Sequence, residues 1–320
     1  MRTTTKVWLI IAASLVLIGC IIFGGVMSML KWDFTKLSTV KYETNDYEIN
    51  QAYKNISIVT DTADVVLVPS QNSKSSVVCC EQKNMRHSVT VKDGTLKIEV
   101  VDTRKWYEHI GINFGGPKIT VSIPQGEYAA LSVKSSTGDV EIPKDFKFKS
   151  IDILESTGDV TSYACASEDI KIKTSTGDIC VENVSANTLD LSVSTGRITV
   201  SNVACEGDVK IDVSTGKTNM TNIACKNATS NGNTGDILLN NVIAAEKISV
   251  KRSTGDVKFD DSDAAEIFVK TNTGHITGTL LSEKVFIAQT DTGRVDVPKT
   301  TNGGKCEVST DTGNVKLKIR

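Results

Sequence analysis

The sequence is poor in aromatic residues, histidine and proline, and its charges nearly cancel. Aromatic residues make up 5% of the 320, with three histidines and five prolines. A net charge of −2 excludes the broad basic surface that nucleic-acid binding requires, so we expect no nucleic-acid partner. Few aromatic side chains suit a narrow core that is filled by valine, isoleucine and leucine.

Several motifs that carry chemistry are also missing. The sequence has no Cys-x-x-Cys pair, its histidines are scattered, and its glycines stand singly rather than in a phosphate-binding loop. We therefore expect no metal site and no cofactor. Two of the eight cysteines, Cys205 and Cys225, occupy the same position in successive repeats. They either form a disulfide or belong to a column of small buried side chains, which Ala244 and Ala264 continue.

Residues 7–30 contain no charged side chain, and this run exceeds the roughly 20 residues that cross a bilayer. Arg2 and Lys6 precede it, which favours a cytoplasmic segment at 1–6, a single transmembrane helix at 7–30 and an extracytoplasmic body. Two alternatives remain open. Leu17-Ile18-Gly19-Cys20 has the form of a lipobox, although the apolar run continues for ten residues beyond Cys20. An ordinary cleaved signal peptide is the other.

One short phrase, Ser-Thr-Gly-Asp followed by an apolar residue, recurs ten times at intervals of 19 or 20 residues. A fixed period of this length is typical of a solenoid. The copies are centred on glycines that permit the positive φ of a tight turn. These turn glycines are Gly138, Gly158, Gly177, Gly196, Gly216, Gly235, Gly255, Gly274, Gly293 and Gly313.

Stacking the repeats brings equivalent residues into columns. The residue two after the glycine is β-branched and apolar in nine of the ten copies, and Thr218 is the exception. Apolar residues also recur at alternate positions before the glycine, which indicates strands. Four successive repeats place asparagine six residues after the glycine, where stacked amides could form a ladder. These residues are Asn183, Asn202, Asn222 and Asn241.

The sequence thus predicts an all-β protein, a parallel β-solenoid (β-helix) of about ten 19–20-residue rungs with one N-terminal transmembrane helix. We expect a stalk at 31–54, an N-terminal β cap at 55–130 and the solenoid repeats at 131–320. The spacing leaves open whether each coil has two or three sides. The last repeat ends in alternating Lys316, Lys318 and Arg320, whose charge would discourage end-to-end stacking of solenoids.

One segment of the cap, 102–117, does not resemble a strand. It combines Arg104, Trp106, Tyr107 and His109 with three glycines. Exposed aromatic residues beside arginine are favoured at binding surfaces, so these four are candidate binding residues. The alternative is a loop that folds its aromatic side chains over the open end of the solenoid.

The residue after each turn glycine forms a column with five aspartates, interrupted by residues such as Arg197, Lys217 and Arg294. Stacked carboxylates could bind calcium, and neighbouring pairs such as Asp159 and Asp178 could act as acid and base on a polysaccharide. The same column is also what solvated turns would show. No repeat departs from the pattern in a way that marks a catalytic site.

The whole pattern resembles a bacterial family of "putative adhesins", a domain of unknown function. The resemblance lies in the apolar span at 7–30, the stretch Asp93-Gly94-Thr95-Leu96-Lys97-Ile98 and the ten repeats from Ser135 onward. It implies a non-enzymatic, membrane-anchored contact or scaffold protein of the cell envelope. Its partners would be the membrane, through the helix, and cell-wall glycan or another envelope protein. The alternatives are a polysaccharide-active enzyme on a β-helix and a passive structural spacer.

Overall fold

The computed structural model describes residues 3–37, 41–106 and 116–320. Helix α1 runs from Thr3 to Met29 and is followed by one turn of 3₁₀ helix, Phe34–Leu37. The part of α1 at Thr4–Met29 has a mean hydropathy of 2.7, and it is long and apolar enough to cross a membrane.

Twenty-five strands follow in the described residues. Those of the N-terminal region are β1 (Tyr42–Ile49), β2 (Asn55–Val59), β3 (Asp64–Pro69), β4 (Ser75–Gln82), β5 (Met85–Lys92), β6 (Thr95–Asp102), β7 (Lys118–Ile123), β8 (Gly126–Thr137) and β9 (Val140–Ile142). Those of the middle are β10 (Phe146–Thr157), β11 (Val160–Ser162), β12 (Cys165–Ala166), β13 (Asp169–Thr176), β14 (Ile179–Ala186), β15 (Thr188–Thr195), β16 (Ile198–Cys205), β17 (Asp208–Thr215) and β18 (Thr218–Thr234). The last are β19 (Ile237–Thr254), β20 (Val257–Thr273), β21 (Ile276–Leu280), β22 (Lys284–Thr292), β23 (Val295–Asp296), β24 (Gly304–Thr312) and β25 (Val315–Ile319).

The predicted parallel solenoid is confirmed, and each full coil has three strand segments. The coil from 198 to 215 shows the three segments. Residues 198–201 of β16 form the first, the part of β16 that begins at residue 203 forms the second, and β17 forms the third. Asn202, with φ of 53°, makes the bend between the first two segments, and the Thr-Gly turn closes the coil. Equivalent residues lie side by side, so that Ile198 is opposite Ile179 in one coil and Thr218 in the next.

The core is a continuous stack of the apolar columns. The residue two after each turn glycine is at most 1% exposed in nine coils, Thr218 included. The exception is Val295, which is 43% exposed because its coil lies at the end of the stack. Val, Ile and Leu dominate this interior, as the shortage of aromatic residues predicts.

An antiparallel hairpin closes the N-terminal end of the solenoid. The outermost coil is formed by β6 and β7, which lie next to β2 and β3, and these in turn lie next to β8 and β9. Strand β4 pairs with β7 and strand β5 pairs with β6, both antiparallel. The segment 31–54, expected to be a stalk, contains β1, which adds antiparallel to β4.

At the C-terminal end the order of coils in space differs from the order in the sequence. Strand β24 pairs with β20 on one side and with β22 on the other, so the last repeat is inserted before the ninth. The prediction that Lys316, Lys318 and Arg320 form the end of the stack is therefore wrong. The terminal coil is β22 and β23 instead, followed by Pro298, a residue that suits an edge because it lacks an N–H group.

The turn glycines lie so close together that no other residue fits. A Cβ atom on Gly158 would lie 2.0 Å from the carbonyl oxygen of Gly138, and one on Gly216 would lie 1.7 Å from that of Gly196. Their φ angles, 152° and 141°, are also ones that L residues rarely adopt. Both close approach and conformation therefore require glycine at these turns.

We expect Gly216→Ala to destabilise the protein by on the order of 3–5 kcal/mol, because it adds backbone strain to a clash with an immobile carbonyl. The measurement is denaturant unfolding of the full chain in detergent. Gly126→Ala is the matched control, since Gly126 has no atom within 4 Å of the added Cβ. Equal stability of the two variants would contradict the close-approach argument.

Candidate functional site

The aspartates of the turn column are bound to the backbone of the neighbouring coil. The Asp159 amide donates to Asp139 Oδ1 at 2.8 Å, the Asp178 amide to Asp159 Oδ1 at 2.7 Å, and the Arg197 amide to Asp178 Oδ1 at 2.7 Å. The series begins at Asp64, in a coil whose turn has alanine in place of glycine. These contacts support a structural role for the column.

The column follows the order of coils in space, including its exchanged end. Asp256 accepts the His275 amide at 2.7 Å, and His275 Nδ1 accepts the Asn314 amide at 2.9 Å. Asn314 Oδ1 then accepts the Arg294 amide at 2.9 Å. An arginine side chain has no acceptor atom, so Arg294 is suited to the last coil of the stack, where no further amide follows.

The four asparagines Asn183, Asn202, Asn222 and Asn241 lie one above another at the first bend of the coil. Each of the last three donates its Nδ2 to the Oδ1 of the preceding one, at 2.9 to 3.0 Å. All four adopt positive φ, between 51° and 57°. Asparagine tolerates this left-handed conformation, and its side-chain amide can form hydrogen bonds with the amides of stacked asparagines. Both properties explain its use at this bend.

The candidate binding residues of the cap lie partly outside the described residues. Arg104 Nε and Nη2 donate to the Asp102 carboxylate at 2.9 and 2.7 Å, and Nη2 lies 4.0 Å from Asp61 Oδ2. Trp106 is 78% exposed. Tyr107 and His109 lie outside the described residues.

A groove that sequence reasoning missed lies across the first coils of the solenoid. Its volume is about 430 Å³, and its lining includes Lys54, Lys147 and Lys149 together with Tyr128 and Phe148. The three lysines are exposed. The Tyr128 ring lies 5.8 Å from the Phe148 ring, and Tyr128 Oη donates to the Pro124 carbonyl at 2.7 Å. The alternating sequence Phe-Lys-Phe-Lys at 146–149 is the signal that could have located it.

Charged side chains also lie in the interior of the solenoid. The Arg252 guanidinium donates to the Val213 carbonyl at 2.7 Å and to Thr218 Oγ1 at 2.9 Å. It occupies the space beside Gly232, where a Cβ atom would lie 1.7 Å from Arg252 Nη1. Burial lowers the pKa of Arg252 to about 10. Its contact with Thr218 explains why this residue departs from the apolar column, and the missing side chain of Gly232 leaves room for the guanidinium.

Glu155 is a second buried charge, and its carboxylate is incompletely bonded. Its Oε1 accepts the amides of Ser156 and Thr157, at 3.1 and 3.3 Å. Its Oε2 is buried without a hydrogen-bond partner among the described residues. Desolvation by burial raises the pKa of Glu155 above its ordinary value of 4.5.

We expect Glu155→Gln to raise the melting temperature near neutral pH. A carboxyl group with a raised pKa in the folded state stabilises the fold below pH 4.5 relative to higher pH, and this contribution is lost as the pH rises through the folded pKa. The difference in melting temperature between the variant and the wild type should therefore increase with pH. Glu141→Gln, at an exposed position of β9, is the control; a difference that does not change with pH would contradict the assignment.

The fold defines this chain as a β-solenoid repeat protein with one N-terminal helix of membrane-spanning length. The sequence profile of the Toastrack DUF4097 family matches residues 53–213 and 204–320. The chain belongs to this family. The predicted resemblance is thereby confirmed.

Two solved structures share the architecture of this chain. A "putative adhesin" from Parabacteroides distasonis ATCC 8503 has a TM-score of 0.51 at 12% identity, covering 88% of this chain and 98% of its own. A "putative lipid binding protein" from the same organism has a TM-score of 0.50 at 17% identity, with the same coverage of both chains. At these identities the similarity shows the fold alone. No curated protein matches the sequence.

Proposed function

We propose that this protein is a non-enzymatic contact protein of the bacterial cell envelope. Residues 1–6 lie in the cytoplasm, the helix predicted at 7–30 crosses the membrane once, and the solenoid lies outside. Its partner is cell-wall glycan, bound at the groove that Lys54, Lys147 and Lys149 line. The structural neighbour described as an adhesin is consistent with a contact role.

The groove is the observation that carries the proposal. The partly exposed Tyr128 ring, above the buried Phe148 ring, provides a surface for the apolar face of a sugar ring. Three ammonium groups outnumber the one carboxylate of the lining, Glu127, and attract acidic substituents of a wall polymer. Lys147 and Lys149 lie on β10 and Lys54 lies in the link before β2, so the groove exists only in the folded solenoid. Its position near the N-terminal cap places it toward the end of the body that follows the helix in sequence.

The carboxylates argue for contact rather than catalysis. A general acid and a general base must be available to the substrate, with environments that separate their pKa values. In the turn column, Asp139, Asp159 and Asp178 each use an oxygen to bind the next coil. A hydrolase built on these carboxylates would have to use the second oxygen of side chains whose first oxygen holds the coils in register.

The test is co-sedimentation of the full chain, in detergent, with purified cell-wall sacculi. We expect the wild type to pellet and the double variant Lys147→Glu, Lys149→Glu to bind several-fold more weakly, with binding that weakens as salt is added. Trp106→Ala, tested in parallel, reports whether the cap contributes to the same surface.

The matched control is Lys171→Glu with Lys173→Glu, the same change of charge on exposed positions of β13 outside the groove. It should pellet like the wild type. Equal loss in both double variants would assign binding to overall charge and overturn the groove. If the wild type does not pellet with the sacculi, glycan binding is overturned, and a protein partner or a spacer role becomes the better explanation.

A further inference from the structure

We propose that Cys79, Glu81 and His87, inside the N-terminal cap, bind one zinc ion. One ligand atom from each side chain lies within 4.8 Å of the others. Ligand atoms on a tetrahedral zinc ion lie about 3.3–3.6 Å apart, so side-chain shifts of up to about 1 Å bring all three onto one ion. Thiolate, carboxylate and imidazole are the donors that zinc uses in proteins.

The cap hairpin brings these residues together. Cys79 and Glu81 are alternate residues of β4, so both point to the inside. Strands β4 and β5 are joined by one pair, Gln82 with Met85, after which β4 follows β7 and β5 follows β6. His87 therefore faces Glu81 across the interior, and its Nδ1 lies 2.8 Å from Glu81 Oε2.

The residues around the three ligands are those that orient a metal site. His87 Nε2 lies 3.0 Å from Thr60 Oγ1, so the hydroxyl can accept from Nε2–H while Nδ1 faces the ion. Asn45 Nδ2 donates to Glu81 Oε1 at 2.6 Å, and the His87 backbone amide donates to Oε2 at 2.6 Å, so Oε2 would bind the ion through its remaining lone pair. Ligating histidines and carboxylates generally carry second hydrogen bonds of this kind, which fix their orientation.

Charge balance is compatible with a divalent ion at this position. Cys79, Glu81 and His87 are 0%, 1% and 3% exposed, so any net charge here lies away from water. A thiolate and a carboxylate together carry two negative charges, which one Zn²⁺ neutralises. Without the ion, the Glu81 carboxylate is held by the His87 amide and ring, so zinc would replace the contact between Nδ1 and Oε2.

The first experiment measures retained zinc. The full chain in detergent is stripped with chelator, given Zn²⁺, passed through gel filtration and assayed by mass spectrometry of the metal. We expect one zinc per chain in the wild type and less than a tenth of that in Cys79→Ser. Cys306→Ser is the matched control, since Cys306 is equally buried and lies in the last repeat; it should retain one zinc.

A second measurement does not depend on a variant that folds. Cobalt added to the stripped wild type should give thiolate-to-cobalt charge-transfer absorption, and zinc should abolish it. Thr60→Val should weaken zinc binding about tenfold to a hundredfold, while Thr174→Val, another buried threonine, should leave it unchanged. A wild type with no zinc and no cobalt absorption, or Cys79→Ser with a full equivalent of zinc, would overturn the site. Loss of glycan binding with zinc retained would affect only the proposed function.

Discussion

The close approach of successive backbones at the Thr-Gly turns is the constraint on which the rest of this structure depends. The amides of nine of the ten turn glycines bond the neighbouring coil, as Gly158 does to the Thr176 carbonyl at 2.9 Å, and the missing Cβ leaves room for this bond. Once this corner is fixed, the residue two further on can point only inward and the strand register follows. The Asp column and the Asn ladder then hold the same register at two other points of the coil.

Most of the solenoid could be predicted because each column experiences one environment repeated ten times. A single glycine is compatible with many structures, but ten glycines at a fixed period indicate the same turn in ten successive repeats. Departures from the columns were harder to interpret, because their cause lies in another coil. Thr218 is explained by the guanidinium of Arg252, which reaches it from the coil that follows through the space beside Gly232. This contact depends on how the strands of three neighbouring coils are aligned, and the sequence of a single repeat does not reveal that alignment.

The ends of the stack could not be predicted for the opposite reason. Near-identical repeats can pair with one another in more than one order, so the pattern does not state that β24 lies between β20 and β22. Pro298, which lacks an N–H group, suits the terminal coil, and the exposure of Val295 is a consequence of the order. The groove escaped prediction because Lys54 and Lys147 meet only through pairing of distant strands, and the cap cluster because Glu81 and His87 meet only when β4 and β5 form a hairpin.

Regularity also decides where function can lie. In a repeat protein, a polar side chain that forms a hydrogen bond to the next coil stabilises the stack. The same hydrogen bond recurs in every coil that carries the same residue, so the bonded atom is not available to a partner. The carboxylates at Asp139, Asp159 and Asp178 are used in this way. Side chains left for a partner must come from positions where the pattern breaks, and those concentrate in the cap and the first coils. Both the lysine-lined groove and the Cys79–Glu81–His87 cluster lie there, so the irregular end, rather than the long regular face, is where recognition is expected.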